Sequence, residues 1–173
     1  MLHLNSKGFN FDEHNGGKNP LGDLKSLLSG AYTSFNNFEN CLQNPDTVVL
    51  HEVSSLCRDA QSVNIELLKQ ALIKEGVEPD ESSDFWHSIV GLISSGAAII
   101  GDDALLAAFR KHELDLFSEY ESKIASFDGE HLLMVQQKLI PNQLRICELL
   151  GAIRGDGTEL SGEPAIPLDL NLA

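Results

Sequence analysis

Between Asn19 and Arg154, apolar residues recur at spacings of three and four in one segment after another, which obliges the chain to form amphipathic helices that cover one another's faces. Those stripes are not uniformly apolar. Glu39, Asn64, Glu113, Gln136 and Gln143 fall in or beside them near the middle of their segments, so the helices that build the core are expected to bring a polar layer into it. Strand-like alternation does not occur in this part of the sequence, and the expected fold class is all-α.

The boundaries are marked by residues with a local role. Asn19 before Pro20 and Asn44 before Pro45 each offer a side-chain acceptor to the free amides of a first turn, followed by a residue with no amide hydrogen to lose. The first helix carries Leu21, Leu24, Leu28, Ala31, Tyr32, Phe35, Phe38 and Leu42. The second carries Val49, Val53, Leu56, Ala60, Val63, Leu67 and Ala71 and stops near Gly76, ahead of Pro79. With only Gln43 and Asn44 between them, the two are expected to form an antiparallel hairpin.

A shorter helix is expected over residues 85–100. Gly101, Asp102 and Asp103 then end it and cap a helix bearing Leu105, Phe109, Leu116, Phe117, Tyr120 and Ile124. Asp128 caps the last helix, which runs to about Arg154 with a kink at Pro141, because proline donates no amide hydrogen and crowds the carbonyl four residues back. The expected organisation is a loose arm over residues 1–18, a helical bundle over 19–154 and a tail over 155–173. Leu168, Leu170 and Leu172 would lay the tail over the bundle or dock it on a protein partner.

Twelve Lys and Arg against 26 Asp and Glu give a formal charge of -14, the wrong sign for a nucleic acid or an anionic membrane, since both are bound by clustered cations. Cys41, Cys57 and Cys147 are odd in number and scattered along apolar stripes, which fits small core residues in a reducing, cytoplasmic setting. The start Met1–Asn5 has neither a charged nor an apolar leader region. The apolar stretch from Ile89 to Ile100 is shorter than the roughly 20 residues that cross a bilayer.

Glu113 lies one turn from both Phe109 and Phe117, so its carboxylate is expected to point inward, where a charge must be paired, protonated or bound to a cation. Glu39 sits at the edge of the first stripe, and His112 lies on the boundary of the stripe that holds Glu113. Two inward carboxylates on separate helices are half of a dinuclear iron or manganese site. The other half would need inward Glu and His, but Asn64, Gln136 and Gln143 stand there, and amides are poor ligands for those metals. The only Asp or Glu residues in the helical region followed three residues later by His are Asp84 and Asp128, both at helix starts. A hydrogen-bonded polar layer without a cofactor is therefore expected. The alternative is a metal site made by Glu39, Glu113 and His112. Phosphate-binding glycine loops and a Ser/His/Asp set are not found.

The segment Phe85 to Glu121, FWHSIVGLISSGAAIIGDDALLAAFRKHELDLFSEYE, resembles the middle of a bacterial family catalogued as domain of unknown function 2383. The features that carry the resemblance are Trp86 in a short helix, the hinge Gly101 to Asp103, the inward Glu113 and Tyr120. It implies a ferritin-like antiparallel four-helix bundle with an additional short helix. The last helix of that family often carries a His near the position of Gln143, from which this chain departs. The expected function is non-enzymatic: association into a homo-oligomer or with a partner reached by the tail. A dinuclear metal oxidase or iron-handling protein is the alternative. If Glu113 is purely structural, replacement by Leu is expected to be tolerated.

Overall fold

The computed structural model describes residues 18–79 and 101–153. The expected arm (apart from Lys18), the short helix over 85–100 and the tail lie outside them. Among the described residues there are four helices. They are α1 (Pro20–Gln43), α2 (His51–Lys74), α3 (Asp102–Lys123) and α4, which joins an α-helix over Gly129–Met134, a π-helical turn over Val135–Leu139 and an α-helix over Ile140–Ala152.

Asn19 caps α1 as expected, its Oδ1 accepting from the amide of Gly22 at 3.0 Å. Asn44 accepts from the amide of Asp46 at 3.0 Å, but it opens a 3-10 segment, Pro45–Leu50, rather than α2 itself. The hydroxyl of Thr47 reaches back to the carbonyl of Cys41 at 2.7 Å, and the ring Nε2 of His51 meets the carbonyl of Asn44 at 3.0 Å, so the turn is tied at both ends. At the other end of α2, Gly76 adopts φ 73°, and the amides of Gly76 and Val77 bond to Ile73 and Leu72. That is the Schellman termination, which favours a residue without a Cβ at the left-handed position.

Side-chain bonds fix the helix directions. Gln61 meets Ser34 and Ser54 meets Cys41, so α1 and α2 are antiparallel. Ser34 meets Glu113 and Ser26 meets Glu119, so α3 also opposes α1. Gln61 meets Gln143 and Lys74 pairs with Glu130, while Gln143 meets Glu113 and Arg110 reaches the carbonyl of Leu150; α4 therefore opposes both α2 and α3. Helices α2 and α3 run the same way, and the connection from Lys74 to Asp102 begins at one end of the assembly and finishes at the other. Helices α1 and α3 approach closely at Gly30, where an added Cβ would lie 2.6 Å from Leu116 Cδ1.

The interior has two apolar halves. Toward Gly76 lie Leu24, Leu27, Leu68, Leu72, Tyr120 and Leu139. Toward the Asn44 turn lie Phe38, Leu50, Leu106, Phe109, Ile146 and Leu150, with the rings of Phe38 and Phe109 edge to face at 5.2 Å. Between the halves are the buried polar side chains of Ser34, Gln61, Asn64, Glu113 and Gln143.

The inner face of α2 differs from the expected stripe. Val53, Cys57, Gln61, Asn64, Leu68 and Ala71 face the core, while Val49, Leu56 and Val63 are exposed. The apolar residues at sevenfold spacing outlined a flank, because the true core face contains Ser54, Gln61 and Asn64. In α4, the wide turn over Val135–Leu139 accompanies Pro141. The amide of Ile140 bonds to Val135, five residues back, and the extra residue rotates the register so that Val135 and Leu139 point inward. This is the structural form of the expected kink. No helix among the described residues is long and apolar enough to cross a membrane.

Candidate functional site: the polar layer around Glu113

Glu113 is 1% exposed at mid-height of α3, and its position follows from the phase of Phe109, Leu116 and Tyr120 on the same face. Its Oε1 accepts from the Ser34 hydroxyl at 2.7 Å. Its Oε2 accepts from Gln143 Nε2 at 2.8 Å and lies 3.3 Å from Gln61 Nε2. Gln61 is the hub of the layer. Its Nε2 is 3.0 Å from Ser34 Oγ and 2.9 Å from Gln143 Oε1, and its Oε1 accepts from Asn64 at 2.9 Å. Asn142 extends the chain, donating to Asn64 Oδ1 at 2.8 Å and to the carbonyl of Ala60 at 2.7 Å. The second hydrogen of Gln143 Nε2 goes to the backbone carbonyl of Glu113 at 3.1 Å.

The Ser34 hydroxyl and both hydrogens on the amide nitrogens of Gln61, Asn142 and Gln143 find acceptors in these bonds, so the layer is a continuous hydrogen-bonded unit. All four helices contribute to it.

Burial pushes the Glu113 carboxyl above its ordinary range, against the opposing effects of the His112 charge and of the bonds from Ser34, Gln143 and Gln61. Burial, with the Glu113 charge second, also raises the neighbouring thiols and phenol: Cys57, Tyr120 and Cys147, the last pushed up to about 11. The thiols are thereby kept protonated and unreactive at neutral pH. All three cysteines are free; Cys41 and Cys57 are buried and Cys147 half-buried.

The raised carboxyl gives stability a definite pH dependence. The folded state holds the Glu113 proton more tightly than the unfolded chain does, so this contribution is full below the ordinary value of 4.5 and is lost as pH rises through the raised folded value. Glu113→Gln keeps the shape and removes the titration. Thermal unfolding of both proteins should show the melting temperature of the wild type falling relative to Glu113→Gln as pH rises from below 4.5 to neutrality. A difference that is flat across this range would mean that folding does not perturb the carboxyl.

The expected members of the layer divide. Glu113, Asn64 and Gln143 are in it. Glu39 is not: its side chain is 35% exposed at the α1/α2 rim, paired with Arg58 at 3.3 Å and bonded by Gln43 at 3.2 Å. A stripe-edge carboxylate facing an arginine on the next helix turns toward that partner. Gln136 is exposed, because the π turn rotates it out of line with Gln143. His112 is half-buried at the edge of α3, and its Nε2 is buried with no hydrogen-bond partner.

Ser34 and Gln61 were not expected in the layer. Their signal was present in the spacing: Ser34 stands three residues after Ala31 and four before Phe38, and Gln61 four after Cys57 and three before Asn64.

A dinuclear iron or manganese centre does not fit these residues. The layer has one carboxylate, whose oxygens already take protein hydrogen bonds, and the amide nitrogens turned toward it are donors rather than ligands. Among the described residues, no three His, Cys, Asp or Glu side chains converge as a metal-holding group. Set against known proteins, the chain matches no protein-family model, no curated protein and no solved structure.

Proposed function

We propose that this chain is a ferritin-like four-helix bundle whose central polar layer is structural, and that it acts in the cytoplasm by association, with itself or with a protein partner, rather than by metal chemistry. The observation that carries the reading is the closed bonding of Glu113: the carboxylate that would anchor a metal accepts from Ser34, Gln61 and Gln143 instead. The order of helix directions supports the fold. Helix α1 opposes α2 and α3, α4 opposes both again, and the one long connection lies between α2 and α3, the arrangement of ferritin-like bundles. The likeness of residues 85–121 to the bacterial family described above points the same way.

Elemental analysis tests the metal-free part. Protein purified from iron- and manganese-supplemented cultures should carry far less than one metal ion per chain. Near-stoichiometric iron or manganese that disappears in Glu113→Ala would overturn the proposal in favour of a metal oxidase or iron-handling protein.

A further inference from the structure

The second half of α4 presents an outer ridge of Pro141, Arg145, Glu148 and Ala152. These residues lie opposite Gln143, Ile146 and Leu150, which face the core. Their spacing of four, three and four reads the same from either end. Arg145 and Glu148 are the charged pair at its centre, and neither makes an ion pair with any described residue.

Uncovered apolar side chains lie on both flanks of this half of α4, as they also do at Val48, Val49, Ile73 and Leu133. On the α2 side are Leu56 and Val63, which sit either side of Ala60, whose carbonyl is bonded by Asn142 of α4. On the α3 side, Leu114 is 55% and Leu144 43% exposed, each one residue beyond the Glu113 to Gln143 contact. None of the exposed large hydrophobics among the described residues lies on α1. The chain also leaves α2 on the α1 side, since Val77 and Pro79 line a groove of about 280 Å³ with Leu28, Ser29 and Tyr32.

We propose that α4 is a homodimer helix. Two copies meet across a two-fold axis with their α4 helices antiparallel, so that Arg145 of each pairs with the partner's Glu148. One register satisfies the whole ridge: it also sets Pro141 against the partner's Ala152. A two-fold contact requires such reciprocity, residue i meeting j while j meets i. Pro141 and Ala152, at the ends, have no long side chains to hold the helices apart. The palindromic spacing and self-complementary charge select a second copy of this chain over an unrelated partner. The inference rests on the association proposed above and assigns its surface.

Sedimentation velocity over a concentration series, with circular dichroism as the check on folding, tests it through charge reversal. The wild type should be dimeric. Arg145→Glu sets two glutamates together at each pair, and Glu148→Arg sets two arginines together; each should weaken the dimer at least about tenfold, as like charges in an interface do. The double reversal Arg145→Glu with Glu148→Arg should restore it. A wild-type oligomer indifferent to both single reversals, or not restored by the double, removes α4 as the contact and leaves self-association standing. A wild type that is monomeric at every concentration removes both.

Discussion

Glu113→Leu should destabilise the protein by about 3 kcal/mol at neutral pH, although it exchanges a buried carboxyl for an apolar group of similar size. From the sequence alone tolerance is expected, because a lone inward carboxylate brings only the cost of its own burial. The structure reverses that expectation. Gln61 keeps acceptors in Ser34 and Gln143, and one hydrogen of Gln143 keeps the backbone carbonyl of Glu113. The Ser34 hydroxyl and the other Gln143 hydrogen lose theirs. Each buried donor left unmatched costs about 1 to 3 kcal/mol, more than removal of the carboxyl returns. Urea unfolding measures the loss. Because Ser34→Ala removes one of the stranded donors, it should cost less in the Glu113→Leu background than alone, a coupling of about 1 kcal/mol. A Glu113→Leu protein within about 0.5 kcal/mol of wild type would mean that the layer does not act as a bonded unit.

What could and could not be read beforehand follows from the same layer. The start of α1 and the end of α2 were readable because caps and breakers act locally: Asn19 on the amide of Gly22, and Gly76 in its left-handed turn; the expected caps at the starts of α3 and α4 make no side-chain bond, Gly101 standing at the first N-cap and Asp128 at the second. Glu113 was readable because Phe109, Leu116 and Tyr120 fix its face. The inner face of α2 was not. Ser54, Gln61 and Asn64 are buried only because donors and acceptors on α1, α3 and α4 complete them, and that information lies far away in the chain. Periodicity then favoured the more apolar flank through Leu56 and Val63, the wrong side of the helix by a fraction of a turn. Gln136 failed for a different reason. Pro141 announced a kink, but the register change that turns Gln136 outward depends on how the kink is absorbed, here by a π turn rather than a bend. Glu39 was placed by its own helix, whereas Arg58 on the next one decides where it points.

The same division of the interior sets the response to a core cavity. Phe38→Ala should cost about 4 kcal/mol, since the ring is fully buried in the half-core beside the Asn44 turn and meets Phe109 edge to face. The cost depends on whether neighbours can collapse into the space. Leu50, Leu106, Ile146 and Leu150 surround it on the turn side, but toward the centre of the bundle the boundary is Ser34, Gln61 and Glu113, held by directional bonds that a shift of the helices would stretch. The cavity is therefore expected to persist, and the loosening to stay on its own side of the layer. Hydrogen exchange of the variant can locate it. Amides from Val53 to Cys57 and from Ile146 to Leu150 should exchange much faster than in wild type, while those from Ile65 to Leu72 keep more of their protection. Equal acceleration on both sides would mean that the layer couples the two half-cores into one cooperative unit instead of insulating them.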